Sequence, residues 1–192
     1  MQGAEKVELN NFKLVTSNEN KLNEFKRFGL KNLQIEKGID LREIDASPKL
    51  VAIYKAKDAG KGKIIEDTSL FVDEENIGTN VRWLMENLGS SIGKRATWQV
   101  ILGINDGDTI SIFQSSIHGT MTKATEGVKG FGFDLMFVPD GAHKSLGELE
   151  QMGLKDLCSA RRMAVEKMIK GEPDYVLDIK NLQPWVGSYQ NE

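Results

Sequence analysis

The stretch Lys13-Leu14-Val15-Thr16-Ser17-Asn18-Glu19-Asn20-Lys21 decides how the rest of the chain is read. Residues 13–16 form a short apolar strand pattern that runs straight into Ser17-Asn18, a helix N-cap pair. Leu22, Phe25 and Phe28 then recur at helical spacing until Gly29 stops the helix. The alternation continues outward. Residues 33–36 read as a second strand, and Pro48 opens a helix carrying Leu50, Val51, Tyr54 and Lys55 that Gly60 ends. Residues 63–67 read as a strand ending in the acids Glu66 and Asp67. Asn80 is placed to cap a short helix with Val81, Leu84 and Leu88, closed by Gly89. Residues 97–104 and 109–117 flank Asn105-Asp106-Gly107-Asp108, a hairpin turn signal. Residues 131–138 pattern as another strand, and 156–169 as a last helix with Leu157, Ala164, Val165 and Met168 on one face. A tail from about 171 follows, with Pro173, Pro184 and Trp185. Strands interleaved with helices, plus one antiparallel hairpin, predict an α/β or α+β domain with a mixed sheet.

At 192 residues the chain has room for a single domain, 1–192, with an ordinary core. Hydrophobic residues make up 40% and charged residues 28%, as in globular proteins. A net charge of −3 supplies neither a field for nucleic acid nor a polybasic anchor for a membrane. No apolar run approaches the roughly 20 residues of a spanning helix, and no signal peptide is recognisable. One cysteine, Cys158, excludes an internal disulfide, and two histidines exclude a His-rich metal site. A cytoplasmic, reducing compartment is the expectation, and any metal would be a hard cation on carboxylates.

Four clusters carry chemistry. In the first, Thr16, Ser17, Asn18 and Lys21 surround a helix start, where free N–H groups and the helix dipole favour an anion. Lys21 opposes that dipole, so a phosphate accounts for it better than helix stability does; an N-cap followed by a solvated lysine is the plainer alternative. The second is acidic: Glu66-Asp67 ahead of Thr68, with Glu43 after an earlier apolar segment. Neighbouring strand residues face opposite ways, so one of the two acids is expected at the site. Such carboxylates suit Mg²⁺ when phosphates complete its shell, or are ordinary surface acids. The third is Gly130-Phe131-Gly132-Phe133-Asp134, either a stacking platform with a carboxylate at the edge of a ring or a core strand with a bulge glycine. The fourth sets Lys155, Ser159, Arg161 and Arg162 on one helix, where Lys155 and Ser159 share a face; a solvated basic face is the plainer alternative.

Taken in this order, the clusters resemble the inosine triphosphate pyrophosphatase family. Thr16, Asn18 and Lys21 match its T-x-N-x-x-K loop, and Glu66-Asp67-Thr68 its E-D-T motif. Phe131-Gly132-Phe133-Asp134 with Phe137 is similar to F-G-[YW]-D-x-x-F, and Lys155, Ser159 and Arg161 partly match K-x-x-x-S-H-R. The resemblance runs from about Leu14 to Met168. It implies a long curved mixed sheet with flanking helices, in two lobes around a central cleft, and a homodimer. It also implies Mg²⁺-dependent hydrolysis of non-standard purine nucleoside triphosphates to monophosphate and pyrophosphate. Thr16, Asn18 and Lys21 would then hold the triphosphate, Lys55 and Arg82 would add positive charge, and Glu43 would help bind Mg²⁺ together with Asp67 and Glu66. Asp67 would ready the attacking water, Lys21 would stabilise the leaving pyrophosphate, Phe131 would stack on the purine, and Asp134, Lys155 and Arg161 would contact it.

The departures concern the base. Ala160 stands where the family carries histidine, Leu135 where a proline is common, and 74–79 replaces a longer glycine-rich loop. A site that loses a hydrogen-bonding partner loses discrimination. The same reaction on another or a standard deoxynucleotide, and a nucleotide-binding module without catalysis, are therefore the rival expectations.

Overall fold

The computed structural model describes residues 9–37, 41–73, 75–77, 89–130 and 132–190. Among them eight strands form one mixed sheet: β1 Lys13–Val15, β2 Gln34–Glu36, β3 Lys63–Val72, β4 Glu75–Asn76, β5 Arg95–Asn105, β6 Thr109–Met121, β7 Phe137–Pro139 and β8 Tyr175–Asp178. Strand order is β2-β1-β3-β5-β6-β7, with β4 on β3 and β8 on β6. β1 is parallel to β2 and β3, whereas β7 and β8 run antiparallel to β6. The flanking helices include α1 Glu19–Arg27, α2 Pro48–Ala59, α3 Leu146–Gln151 and α4 Ala160–Lys170. No helix of the described residues is long and apolar enough to cross a membrane.

The chain divides into two compact units, one of residues 1–67, 101–114 and 162–192, the other of 68–100 and 115–161. In the first, α1 starts where Asn18 caps it and ends before Gly29, whose φ of 120° suits glycine alone. Pro48 occupies the first turn of α2, and Gly60 at φ 85° closes it. Ala52, Ile53, Ala56 and Ala59 of α2 bury against Ile65, Ile101, Ile110 and Ile112. Such complete burial stabilises by about 1.5–3 kcal/mol per large aliphatic side chain. The small residues on α2 let helix and sheet approach closely: a Cβ on Gly103 would lie 3.0 Å from that of Ala56.

In the second unit Trp98, Phe133 and Phe137 pack edge to face, with centroids 5.8 and 6.0 Å apart. Ser145 opens α3 with a reciprocal capping box to Glu148. Arg95 forms a bidentate pair with Asp140, both contacts at 2.7 Å.

Several sequence expectations are corrected. β3 does not end at Asp67 but continues to Val72, because Leu70 and Val72 bury as a strand should. Residues 131–138 are not one strand: Gly132 sits at φ 65°, residues Gly132–Leu135 form a 3-10 turn, and only Phe137–Pro139 is extended. The last helix is interrupted as well. Lys155–Cys158 is a 3-10 turn, Ser159 is extended, and α4 begins at Ala160. Lys155 and Ser159 therefore do not share a helix face, and Leu157 is 74% exposed instead of buried. Residues 89–91 are helical, so Gly89 closes nothing, while Asn80, Val81, Leu84 and Leu88 lie outside the described residues. The tail folds too: β8 extends the sheet on β6, and Tyr189 bridges to Ile44.

Candidate functional site

In the first unit the parallel register of β1 and β3 pairs Leu14 with Ile64. Continued, that register brings Glu66 and Asp67 level with the loop Thr16-Ser17-Asn18. The contacts agree: Lys21 Nζ of α1 lies 3.4 Å from Glu66 Oε1, whose side chain is fully buried. Asp67 takes the other lysine, with Lys55 Nζ of α2 3.3 Å from Oδ1 and 2.8 Å from Glu43 Oε1. The opposite orientation of neighbouring strand residues thus sends the two acids to two lysines, and both remain in one charged group, since Lys21 also acts electrostatically on Asp67.

Burial pushes the Asp67 carboxyl above its ordinary pKa. Lys55 and Lys21 oppose that shift and Glu43 reinforces it. For Lys55 burial works to lower the pKa, but the carboxylates of Asp67 and Glu43 outweigh it and the ammonium is held above its usual value. The Asp67 carboxyl therefore takes up a proton more readily than an exposed aspartate does.

The loop itself is less open than the sequence suggested. Asn18 Oδ1 accepts from the N–H groups of Asn20 and Lys21, and the Thr16 hydroxyl oxygen accepts from Asn18 N–H at 3.0 Å. The cap satisfies these donors before any ligand does. Ser17 stays exposed and Thr16 half-buried beside them. Thr68 follows on β3, half-buried, in the second unit.

For a metal, Glu43 and Asp67 offer oxygen donors that converge on one point, the Lys55 ammonium. Glu66 is turned onto Lys21 instead. Among the described residues no three His, Cys, Asp or Glu side chains gather into a metal-holding group.

The second unit holds the other predicted residues. Lys155 Nζ lies 2.7 Å from Asp134 Oδ2, and both side chains are almost wholly buried. Ser159 and Arg161 are also buried, at 1% and 2% exposure. Asp134 ends up here because the Gly132–Leu135 turn reverses the chain after Gly132, and Phe133 anchors that turn in the core. Phe131 and Arg82 lie outside the described residues. Sequence reasoning missed Trp98: the Arg161 guanidinium carbon is 5.6 Å from its ring centroid, and its Nε1 is buried with no hydrogen-bond partner among the described residues. The only sequence signal for it is the alternation Ala96, Trp98, Val100 on β5.

Residues 12–171 match the sequence model of the Ham1 family. A dITP/XTP pyrophosphatase of Porphyromonas gingivalis is 27% identical over 144 residues, 74% of this chain and 66% of that protein. One of Korarchaeum cryptofilum is 28% identical over 174 residues, 80% of this chain and 91% of that one. The chain spans just under two thirds of the first of these relatives, and less of some others like it. The Ham1 protein of Staphylococcus aureus shares the fold, with a TM-score of 0.64 and 22% identity over 83% of this chain and 97% of that one.

Proposed function

Because the chain belongs to the Ham1 family, we propose that it hydrolyses non-standard purine nucleoside triphosphates, such as ITP, dITP and XTP, to monophosphate and pyrophosphate with Mg²⁺. The observation that carries this reading is the Lys21–Glu66 and Glu43–Lys55–Asp67 group beside the capped start of α1. Phosphoryl chemistry asks for charge neutralisation and an aligned water more than for covalent help. Lys21, Ser17 and the Thr16 hydroxyl bind and orient the triphosphate, and Lys55 adds charge while holding Asp67 in place. Asp67, its carboxyl raised by burial, takes a proton from the attacking water.

The donor set fits Mg²⁺, which needs one or two carboxylates when phosphate oxygens and waters fill the rest of its shell. Glu43 and Asp67 would hold it. When bound, the ion supplies charge stabilisation to the leaving phosphates. The charge balance supports this as well: two lysines face three carboxylates in this group, so a bare polyanion would meet a net negative site.

In the second unit the Asp134–Lys155 pair and Arg161 would read the purine edge, with Gly132, Phe133 and Ser159 beside them; Phe131, Thr68 and Arg82 would contribute to substrate binding. Ala160, fully buried beside Arg161, favours a second reading in which the reaction is kept and the base preference moves to another or a standard nucleotide. The family resemblance supports a homodimer, and the single cysteine a cytoplasmic setting.

The test is pyrophosphate release from ITP, XTP, dITP and the standard triphosphates, with and without Mg²⁺, for the wild-type chain and Asp67→Asn. Mg²⁺-dependent release that Asp67→Asn lowers by about 10²–10⁴-fold supports the assigned base. A loss smaller than about tenfold removes Asp67 from that role, and nucleotide binding without release from any substrate leaves only a binding module.

A further inference from the structure

The segment that carries Glu43 has little regular structure of its own. Between β2 and α2 the described residues 41–47 contain one isolated bridge, Ile44 to Tyr189. Four hydrogen bonds tie this segment to the far end of the chain. Gln190 N–H donates to Glu43 C=O at 2.8 Å, and Asp45 N–H donates to Ser188 C=O at 3.0 Å. Gln190 Nε2 donates to Ile44 C=O at 3.1 Å, and Ser188 Oγ donates to Asp45 Oδ2 at 3.3 Å. Arg42 stacks on the Tyr189 ring, its guanidinium carbon 3.8 Å from the centroid.

The same tail holds the helix that carries Lys55. Tyr54 Oη donates to Gln183 C=O at 2.8 Å, and the Tyr54 and Trp185 rings meet edge to face at 5.6 Å. Trp185 Nε1 in turn donates to Ser188 C=O at 2.9 Å, which locks the turn between the two attachment points. Residues 183–190 therefore touch both neighbours of the Glu43–Lys55 contact, on Glu43's own backbone and one residue before Lys55. They lie beyond residue 171, where the match to the Ham1 family ends.

We propose that residues 183–190 are a positioning strap that sets Glu43 and Lys55 for metal and phosphate binding, with Gln190, Tyr189 and Trp185 as its positioning residues. The inference rests on the functional reading above for the identity of the ligand. Its physical basis is narrower: a half-exposed carboxylate on an irregular segment holds a cation well only if that segment is fixed.

The test compares the full chain with a chain ending at Pro184, with Tyr189→Ala, Tyr189→Phe and Gln190→Ala, and with Glu43→Gln. Truncation at Pro184 keeps β8, and the point variants report should the truncated chain fail to fold. Three quantities are read: hydrogen exchange of 41–47, Mn²⁺ affinity by calorimetry, and the Mg²⁺ concentration for half-maximal pyrophosphate release. Truncation and Tyr189→Ala should speed exchange in 41–47, weaken metal binding about tenfold, as Glu43→Gln does, and raise the Mg²⁺ needed for half-maximal release. Tyr189→Phe, which keeps the ring under Arg42, should retain wild-type affinity. Truncation added to Glu43→Gln should cost no further affinity.

Unaltered metal affinity with faster exchange would overturn the proposal, as would a loss that adds fully to that of Glu43→Gln. So would a wild-type chain that binds no metal. Absence of pyrophosphate release from every nucleotide would defeat the functional reading alone, and the metal affinities would still decide the strap.

Discussion

Lys155→Met offers the sharpest test of the buried pair in the second unit. Lys155 Nζ and Asp134 Oδ2 are 2.7 Å apart, with side-chain exposures of 2% and 7%. At that distance and an effective permittivity of about 20, the attraction is roughly 6 kcal/mol. Removing both groups from water costs several kcal/mol per ion, so the pair as a whole contributes little net stability. Removing only the lysine leaves the carboxylate buried against lost attraction, at a cost of about 3–5 kcal/mol. In a chain of this length that lowers Tm by roughly 6–20 °C. Lys155→Met/Asp134→Leu removes both ends of the buried pair and should recover most of the loss, giving a coupling of several kcal/mol in a double-mutant cycle. Urea denaturation of the four proteins measures it. Both variants should also lose purine-dependent turnover, so the double variant would be stable and inactive. A single-mutant cost under about 1 kcal/mol, or additive losses in the double variant, would refute the reasoning.

Three further outcomes follow from local geometry. In the metal-free chain the Asp67 carboxyl should titrate above the ordinary aspartate value of about 4, because burial raises it. The folded state then favours the protonated form, so stability declines as pH rises through that raised pKa and Mg²⁺ restores it; carboxyl NMR and thermal melts with and without Mg²⁺ check both. Asp106 runs the other way: burial works to raise its pKa, but donors from Thr109 and Asp108 outweigh it and hold the carboxyl low. Asp106→Ala should cost about 1–2 kcal/mol above pH 4, and the difference should vanish as pH falls through the depressed folded value, as denaturation at two pH values would show. Gly119→Ala should destabilise by about 1–3 kcal/mol, since the new Cβ would strike the Val138 carbonyl oxygen and lie 2.7 Å from Phe137 Cζ; an unchanged urea midpoint would contradict this.

What was legible in the sequence is what local chemistry decides. Asn18 before a helical repeat, Pro48 at a first turn, and Asp106-Gly107 between apolar runs each fix a conformation within four or five residues, and each appears where expected. The misreadings share a cause. Phe131, Phe133 and Phe137 mimic strand alternation, but one glycine at φ 65° converts the segment into a turn, and neither composition nor periodicity carries φ. Ser159 lies among residues that tolerate helix, yet it is extended directly before α4, the position where serine caps. Contacts such as Gln190 to Glu43 and Tyr54 to Gln183 span more than a hundred residues and leave no periodic trace. Of the site, the residue types were readable, whereas the partner each acid takes was not, because that depends on the register of β1 against β3.

The way the lysines are held bears on how such a site can exist before its ligand arrives. An ammonium as buried as that of Lys55 is costly unless it is paired, and Glu43 and Asp67 pair with it at 2.8 and 3.3 Å. The same two acids are the donors a divalent cation would need, so their contacts to Lys55 and their contacts to a metal compete for the same lone pairs. A cation entering there would release the Lys55 ammonium toward whatever anion came with it. Lys21 is likewise paired with a buried carboxylate, Glu66, at the start of α1. On the proposed reading Lys55 would be stored against these carboxylates until a cation competed for them, which would tie phosphate binding to metal binding through the charges themselves.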